Sequence, residues 1–549
     1  MQQTTVLAEA AIDSGLARDA LDPVLTGDQS LSVLDTETGQ WVSRTWTQMH
    51  TRSKQIAAAI LRDRGHSEPS AIGLIGDPTV DLIAAIRGAW FAGAAVSILP
   101  GPIRGADEQR WAENTYARFV DIGVGTVLGG GTQLELLSTV DGQLRIEQAA
   151  DYGVGEDISD FVACELADET PAVLQGTAGS TGEPKTAVLS HRAVRVNTAE
   201  LISRIGAHQT RDVGFSWLPL YHDMGLTFLL AGMGTGFPLY VVPNSAFAAA
   251  PFKWLTWLTE TKATVTAAPN FAYDILGRYG SLLKDADLSR LRFSISGGEP
   301  IDPGAFDDFL TVAARFGFDP SAAAPAYGMA ESTCAVTMPL AGEGAQYDEV
   351  TVISADESAE PIRRRFAILG RPLGGMQIRV VEVRGEIPRI AGRDVGEVQI
   401  RGTSMMSGYL GHEPLGGDDW FSTGDLGYLI DDRLVICGRL KEIVIVAGRN
   451  LFPVEVERAA AVVDGVKRGG VVAMARDEKS SRPGLVVVAE YRGADKAGAR
   501  GEVISSVAAE CGIVPAEVIF VEPGSVPRTT SGKLRRLETK QLVESGAWS

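Results

Sequence analysis

The stretch Thr177-Ala-Gly-Ser-Thr-Gly-Glu-Pro-Lys185 contains the residue types that a crowded polyanion needs. Glycines let the backbone approach a ligand closely, Ser and Thr hydroxyls donate to phosphate oxygens, and successive free N–H groups form an anion-binding concavity. Thr177, Ser180, Thr181, Gly182 and Lys185 are therefore candidate phosphate-binding residues. The stretch is not a Walker loop, which needs Gly directly before Lys; Pro184 stands there and has no N–H to give. The other reading of the same residues is a Ser/Gly-rich hairpin turn between apolar strands at 172–174 and 187–189.

Four further segments carry groups suited to nucleotide chemistry: Tyr327-Gly-Met-Ala-Glu-Ser-Thr333, Ser422-Thr-Gly-Asp-Leu-Gly427, Gly438-Arg-Leu-Lys-Glu442 and Pro527-Arg-Thr-Thr-Ser-Gly-Lys533. Glu331 offers the hard carboxylate oxygen that Mg2+ takes alongside waters and phosphate oxygens; in isolation it reads first as a charge at a helix N-terminus. Asp425 in isolation is an ordinary turn residue. The Lys533 segment passes on composition for a solvated basic tail.

Taken together, in this order and spacing, the five segments resemble the adenylate-forming superfamily of acyl-CoA synthetases, peptide-synthetase adenylation domains and luciferases. Trp217-Leu-Pro-Leu-Tyr-His-Asp-Met-Gly225, Ala268-Pro-Asn-Phe-Ala-Tyr273 and Gly297-Gly-Glu-Pro300 are similar to the fatty acyl-AMP ligases, in particular those that activate long-chain acids for siderophore lipidation. That resemblance implies a reaction in which a fatty carboxylate attacks the α-phosphate of ATP, giving acyl-AMP and pyrophosphate, with Mg2+ and fixed cations neutralising the growing charge. It places adenine on Tyr327 and Gly328 with Gly298, Glu299 and Pro300 along its edge. The ribose falls to Asp425 supported by Arg439, the metal to Glu331, and catalysis to Lys533. The family commonly carries Thr before the Glu, where Ala330 stands here, as in fatty acyl-AMP ligases; the α-phosphate contact then passes to Ser332, Thr333 or Lys533. Lys441 corresponds to the hinge of a mobile C-terminal domain. His222 is either a satisfied histidine at a strand end or a wall between the pyrophosphate path and an acyl tunnel. Large side chains at 251–257 and 269–273 would line that tunnel, or simply pack a core. The chain has no attachment site of its own for phosphopantetheine, so the acyl acceptor implied is a separate acyl carrier protein. Residues 341–369, charged and loop-like, resemble a shortened form of the segment that hinders CoA use in this subfamily, and CoA stays open as an acceptor.

Composition fits such an enzyme. The chain's 549 residues exceed one hydrophobic core, and 45% hydrophobic residues suffice to fill two or more. A formal charge of −19 argues against nonspecific nucleic-acid or anionic-lipid binding. Four scattered cysteines without metal spacing read as reduced core thiols of a cytoplasmic protein. Residues 1–16 lack the basic start and apolar run of a secretory signal. An uncharged run at 224–252 is broken by Gly232, Gly234, Gly236, Pro238 and Pro243, which predicts buried strands and turns rather than an integral membrane segment.

These groups need a scaffold that brings distant loops together. Helical periodicity at 53–64 alternating with short apolar strands at 72–75 and 95–99 predicts α/β layers, with ligand loops at strand ends. From 366 to 438 short strands predominate and predict a small β subdomain. After Arg439, a strand at 442–446, a helix at 453–463, strands at 470–474 and 484–490, a helix near 501–510 and a strand at 518–521 predict a compact α+β unit. The expected division is thus a large α/β adenylation domain at 1–439 that includes the β subdomain, and a C-terminal domain at 440–549.

Overall fold

The computed structural model of the chain describes residues 29–65, 70–102, 107–177, 185–280, 285–353, 362–383, 387, 389–446, 449–476, 484–528 and 534–548. Ser180, Thr181, Gly182 and Lys533 lie outside the described residues.

Apolar strands too short to be helices alternate with amphipathic helices through the first 325 residues, and among the described residues they form two seven-stranded sheets. In one, Gly214–Ser216, Leu239–Val241, Val265–Ala268, Phe293–Ser296 and Ala323–Pro325 run parallel, with Ser30–Leu34 parallel at one side and Trp41–Thr45 antiparallel at the edge. The other orders Gly408–Tyr409, Lys185–Ser190, Pro171–Thr177, Val96–Ile98, Ala71–Ile75, Val124–Gly129 and Arg145–Gln148. The helix Val80–Phe91 is buried between these layers with the amphipathic helix Trp46–Arg64 packed on it, and one hydrophobic core reaches from Leu31 to Leu434. Stacking both faces of a sheet against helices is what makes these strands read as continuous apolar runs.

The 224–252 run departs from expectation. It forms a helix, Asp223–Thr235, then the strand Leu239–Val241 and a helix, Asn244–Ala249. The glycines inside the first helix do not break it, because they provide room: a Cβ at Gly232 would lie 2.8 Å from a Leu239 methyl and 3.3 Å from the Phe237 ring. Close packing of helix on strand outweighs the roughly 1 kcal/mol helix penalty of each glycine. Among the described residues no helix is long and apolar enough to cross a membrane.

Residues 341–369 also differ from the loop that their charge suggested. Gln346–Ile353 and Ile362–Ile368 pair as an antiparallel hairpin, so the third seven-stranded sheet starts before residue 366 and continues to Arg433–Arg439. The charges that looked like loop chemistry are paired at the sheet's surfaces. Arg393 forms a two-pronged ion pair with Asp348, at 2.8 and 2.9 Å, and Arg365 reaches Asp307 at 2.9 Å.

From Val444 onward the chain builds a core of its own. The strands Val466–Arg476, Gly484–Tyr491 and Glu517–Val521 form a three-stranded sheet covered by the helices Pro453–Ala460 and Lys496–Cys511. The predicted strand at 442–446 shortens to Val444–Val446, since Leu440–Glu442 is a 3-10 turn. Two contacts tie this unit to the preceding sheet. Phe452, 1% exposed, enters the cluster of Tyr428, Val435 and Cys437 and lies against Gly438, where a Cβ would sit 2.2 Å from its ring. Arg364 of the hairpin donates to Glu455 Oε1 at 2.7 Å and to the Glu510 carbonyl at 2.9 Å, with both ionic side chains buried. Burial holds the thiols of Cys437 and Cys511 in their protonated form, the latter pushed up to about 12, which agrees with assigning them no chemistry.

One buried group sets a pH dependence. His191 opens the helix His191–Ile205, is 2% exposed and packs edge-on against Trp90, and among the described residues neither ring nitrogen has a hydrogen-bond partner. Burial lowers its pKa to about 4, with Asp168 opposing and Arg195 adding to the shift. The unfolded chain takes up this proton near pH 6.5, so the stability contribution is complete above that pH and is lost as pH falls towards 4, by about 3 kcal/mol. His191→Phe is expected to show a smaller fall in melting temperature between pH 7 and pH 4.5 than the parent chain. Parallel pH curves for the two proteins would contradict the assignment.

Candidate nucleotide and metal site

The parallel strands of the first sheet all end on one edge, and the candidate residues follow directly from those ends. Gly298, Glu299 and Pro300 follow Phe293–Ser296, Tyr327 follows Ala323–Pro325, and the Trp217–Gly225 segment follows Gly214–Ser216. Crevices at the carboxyl ends of such strands are where open α/β sheets take ligands. Gly298 has φ +78°, a conformation costly for other residues, and the next residue, Glu299, accepts the Phe271 N–H at 2.6 Å.

Tyr327 and Gly328 form a two-residue strand bulged against Ala335–Met338. Gly328 is required by space: a Cβ would lie 1.9 Å from the Cys334 carbonyl oxygen. The Tyr327 hydroxyl donates to Asp425 Oδ2 at 2.6 Å, while Arg439 Nε donates to Asp425 Oδ1 at 2.9 Å. Antiparallel pairing of Phe421–Ile430 with Arg433–Arg439 puts Asp425 directly opposite Arg439. Burial, and then Asp425, push the Tyr327 phenol well above its ordinary value, so it stays a donor; Asp425 raises Arg439 in turn. Each carboxylate oxygen keeps a further lone pair for another donor.

Four residues after Tyr327, Glu331 sits in a 3-10 turn, Ala330–Ser332, and is 9% exposed. Its Oε1 accepts the Tyr409 hydroxyl at 2.6 Å. Lys185 holds its ammonium 4.8 Å from the centre of the Tyr409 ring, so Tyr409 links the lysine that closes the Thr177–Lys185 loop to the candidate metal carboxylate. Burial and Glu331 push the Tyr409 phenol up, keeping it protonated. Among the described residues no group of three or more His, Cys, Asp or Glu could hold a metal ion by itself. One buried carboxylate fits Mg2+ that arrives with a polyphosphate, because that ion keeps waters and phosphate oxygens as its other ligands.

Thr177 pairs with Lys185 across the ends of the loop. His222 stands at the N-terminus of Asp223–Thr235, its ring 4.8 Å from Tyr221, whose carbonyl takes the Gln175 amide at 2.7 Å; this sets His222 beside the strand that enters the loop. The hydroxyls of Ser332 and Thr333 turn inward. Ser332 Oγ donates to Met329 O at 2.9 Å and Thr333 Oγ1 to Ser404 O at 2.8 Å, leaving neither a proton for a phosphate oxygen in this arrangement. Lys441 is exposed, in the turn that follows Arg439. Trp254, Trp257 and Tyr273 are buried against one another and their neighbours: Trp254 meets Tyr273 at 5.4 Å, Tyr273 meets Phe309 at 4.8 Å, and Trp257 stacks on Phe215. These three side chains pack in the core, while Phe271 of the same segments is 37% exposed.

Tyr409 escaped the sequence analysis. Its only signal is an aromatic residue between Gly408 and Gly411, which nothing local distinguishes from a turn.

Comparisons with known proteins converge on one family. The family model described as AMP-binding enzyme covers residues 27–410. A Mycobacterium tuberculosis protein named as a ligase, Rv1013, is 34% identical over 96% of this chain and 98% of its own. The medium-chain-fatty-acid–[acyl-carrier-protein] ligase JamA of Moorena producens is 27% identical over 90% of this chain and 88% of its own. A solved chain from a study of fatty acyl-adenylate ligases of E. coli and L. pneumophila superposes with a TM-score of 0.86 at 26% identity, covering 97% of this chain and 98% of that one. The loops gathered at the strand ends, the long family match and the full-length relatives agree: the chain belongs to the AMP-binding enzyme family.

Proposed function

We propose that this chain is a fatty acyl-AMP ligase, which activates a long-chain fatty acid with ATP, releases pyrophosphate, and passes the acyl group to the phosphopantetheine thiol of a separate acyl carrier protein for a lipidated siderophore or similar product. The observation that carries the reading is a single turn, Tyr327–Thr333, with Asp425 and Arg439 gathered at one end and Glu331, Tyr409 and Lys185 at the other. That is a ribose end and a phosphate end on one short segment. JamA's name supports a fatty acid and a carrier protein, although its own acid is medium-chain, and the name of the superposed ligases supports a fatty acyl-adenylate.

In this reading the carboxylate of the acid is already ionised at neutral pH and needs no general base. Tyr327 and Gly328, with Gly298, Glu299 and Pro300, hold the adenine. Asp425 accepts ribose hydroxyls and Arg439 keeps it oriented. Thr177, Ser180, Thr181, Gly182 and Lys185 hold the departing phosphates, and Glu331 holds Mg2+, which when bound neutralises phosphate charge. With the Ser332 and Thr333 hydroxyls engaged, Lys533 takes the α-phosphoryl oxygens. The mobile unit starts after Arg439, with Lys441 as its hinge and His222 as a wall beside the pyrophosphate path.

The test incubates the protein with ATP, Mg2+ and fatty acids of graded length, with CoA or a holo-carrier protein added, and identifies products by mass. Acyl-AMP followed by acyl-carrier is expected; acyl-CoA as the preferred product would make it an acyl-CoA synthetase, and absence of any adenylate would leave an ATP-binding protein. Asp425→Ala is expected to weaken ATP binding about 10- to 100-fold, the range for hydrogen bonds to a charged group, without altering the preferred acid. A shifted chain-length preference at unchanged ATP affinity would remove the ribose role.

A further inference from the structure

The turn that carries Glu331 is held in a shape its own sequence resists. Thr333, 3% exposed, has φ 71° and ψ −54°, the tight three-residue turn region that is strained for any residue with a Cβ and more so for a β-branched one. Such conformations persist only where surrounding structure over-determines them.

Here the surroundings are supplied from a different part of the chain. Asn197, on the helix His191–Ile205, is 1% exposed. Its Nδ2 lies 2.8 Å from the Ala335 carbonyl, 3.3 Å from Ser404 Oγ and 3.4 Å from the Ser332 carbonyl, and its Oδ1 accepts the Ala335 N–H at 3.3 Å. One amide thus holds the backbone on both sides of Thr333. The Ser404 segment completes the grip: its carbonyl takes the Thr333 hydroxyl at 2.8 Å, and two residues on, the Met406 N–H donates to the Glu331 carbonyl at 2.8 Å. With two hydrogens for three acceptors, the amide has no spare capacity, and its loss leaves buried carbonyls unsatisfied.

We propose that Asn197 is a positioning residue for the metal-binding carboxylate, acting through the strained turn to fix where Glu331 points. The proposal rests on the reading of Glu331 as the Mg2+ ligand. Mg2+ demands near-ideal octahedral geometry at short range, so a carboxylate on a relaxed turn binds it poorly. Asn197 itself is buried, and among the described residues its hydrogen bonds go to Ser332, Ala335 and Ser404.

The experiment titrates ATP into the protein by calorimetry, with and without Mg2+ and without fatty acid, so that no turnover occurs. It compares the parent chain, Asn197→Ala and Glu331→Gln. Asn197→Ala is expected to bind metal-free ATP as the parent does and to lose about tenfold or more of the affinity that Mg2+ adds, the range for removal of an outer-shell partner. A merely structural asparagine would lower the melting temperature and leave the Mg2+ increment intact, and that result overturns the proposal. If Glu331→Gln keeps the full increment, the metal reading fails and the proposal falls with it; if Glu331→Gln loses the increment while Asn197→Ala keeps it, only the positioning role falls. Should Asn197→Ala not fold, Asn197→Ser, which retains one donor, is measured against the same criterion.

Discussion

Lys533→Ala is expected to abolish acyl-AMP formation while leaving ATP binding in place. A cation that bridges the fatty carboxylate and the α-phosphate acts mainly on charge that develops in the transition state, so its loss appears in the rate of the first step and little in ground-state affinity. Removing one such preorganised contact costs at least ~100-fold. The flanks of the lysine segment are anchored by contacts between described residues. Arg528 bridges Leu534, and the Arg535 N–H donates to the Pro527 carbonyl at 2.9 Å. Arg536 grips both Glu457 oxygens and Glu442 at 2.8 Å. Pyrophosphate release and acyl-AMP by mass, alongside ATP affinity, check the expectation. Near-parental acyl-AMP formation would remove Lys533 from catalysis.

Lys441→Pro is expected to leave adenylation largely intact and to block transfer to the carrier. The chain on either side of Lys441 is fastened: Arg439 to Asp425 before it, Glu442 to Arg536 after it, and Arg536 to Glu457 within the C-terminal unit. In the proposed hinge, rotation of that unit is taken up at residues 440 and 441, where proline would fix φ near −65°. The same rotation must separate Arg364 from Glu455. A buried pair of this kind adds little net stability when whole, but removing one partner costs about 3–5 kcal/mol. The measurement compares pyrophosphate release with acyl-carrier yield in one preparation, with circular dichroism matching the parent as control. Equal loss of both activities, or undiminished transfer, would leave the hinge without support.

Much of this was legible in the residues themselves. Some strands can be read because buried parallel strands are short apolar runs between glycines and polar turns, as at 72–75 and 95–99, whereas the edge that gathers Gly298, Tyr327 and Trp217 appears only in the fold. The Asp425–Arg439 pair was legible as two motifs of one family, and the register of two antiparallel strands joins them. What could not be read lies in packing at a distance. Gly232 looks like a breaker until Leu239 is seen filling the space it leaves. The charges of 346–368 look like loop until Asp307, Arg393 and Glu455 are found opposite them. Tyr409 and Asn197 are remote in sequence from Glu331, and single polar residues on a short strand or in an amphipathic helix carry no local mark of their partners. The resemblance leaves the α-phosphate to Ser332, Thr333 or Lys533; that backbone carbonyls take the first two hydroxyls is invisible without the fold.

Gly438 and Phe452 have an evolutionary consequence. The glycine is there because the ring occupies the place of its Cβ, and the ring closes a core that Tyr428 and Val435 share. Neither position can drift alone: a side chain at 438 displaces the ring, and a smaller residue at 452 leaves a void that a larger residue at 438 would have to fill. The two positions bracket Lys441, so the junction is enclosed by a pair of residues that constrain each other sterically. Under the proposed hinge, this packed pair would itself have to part for the C-terminal unit to turn, so the fit of one ring against one glycine sets part of the cost of that motion.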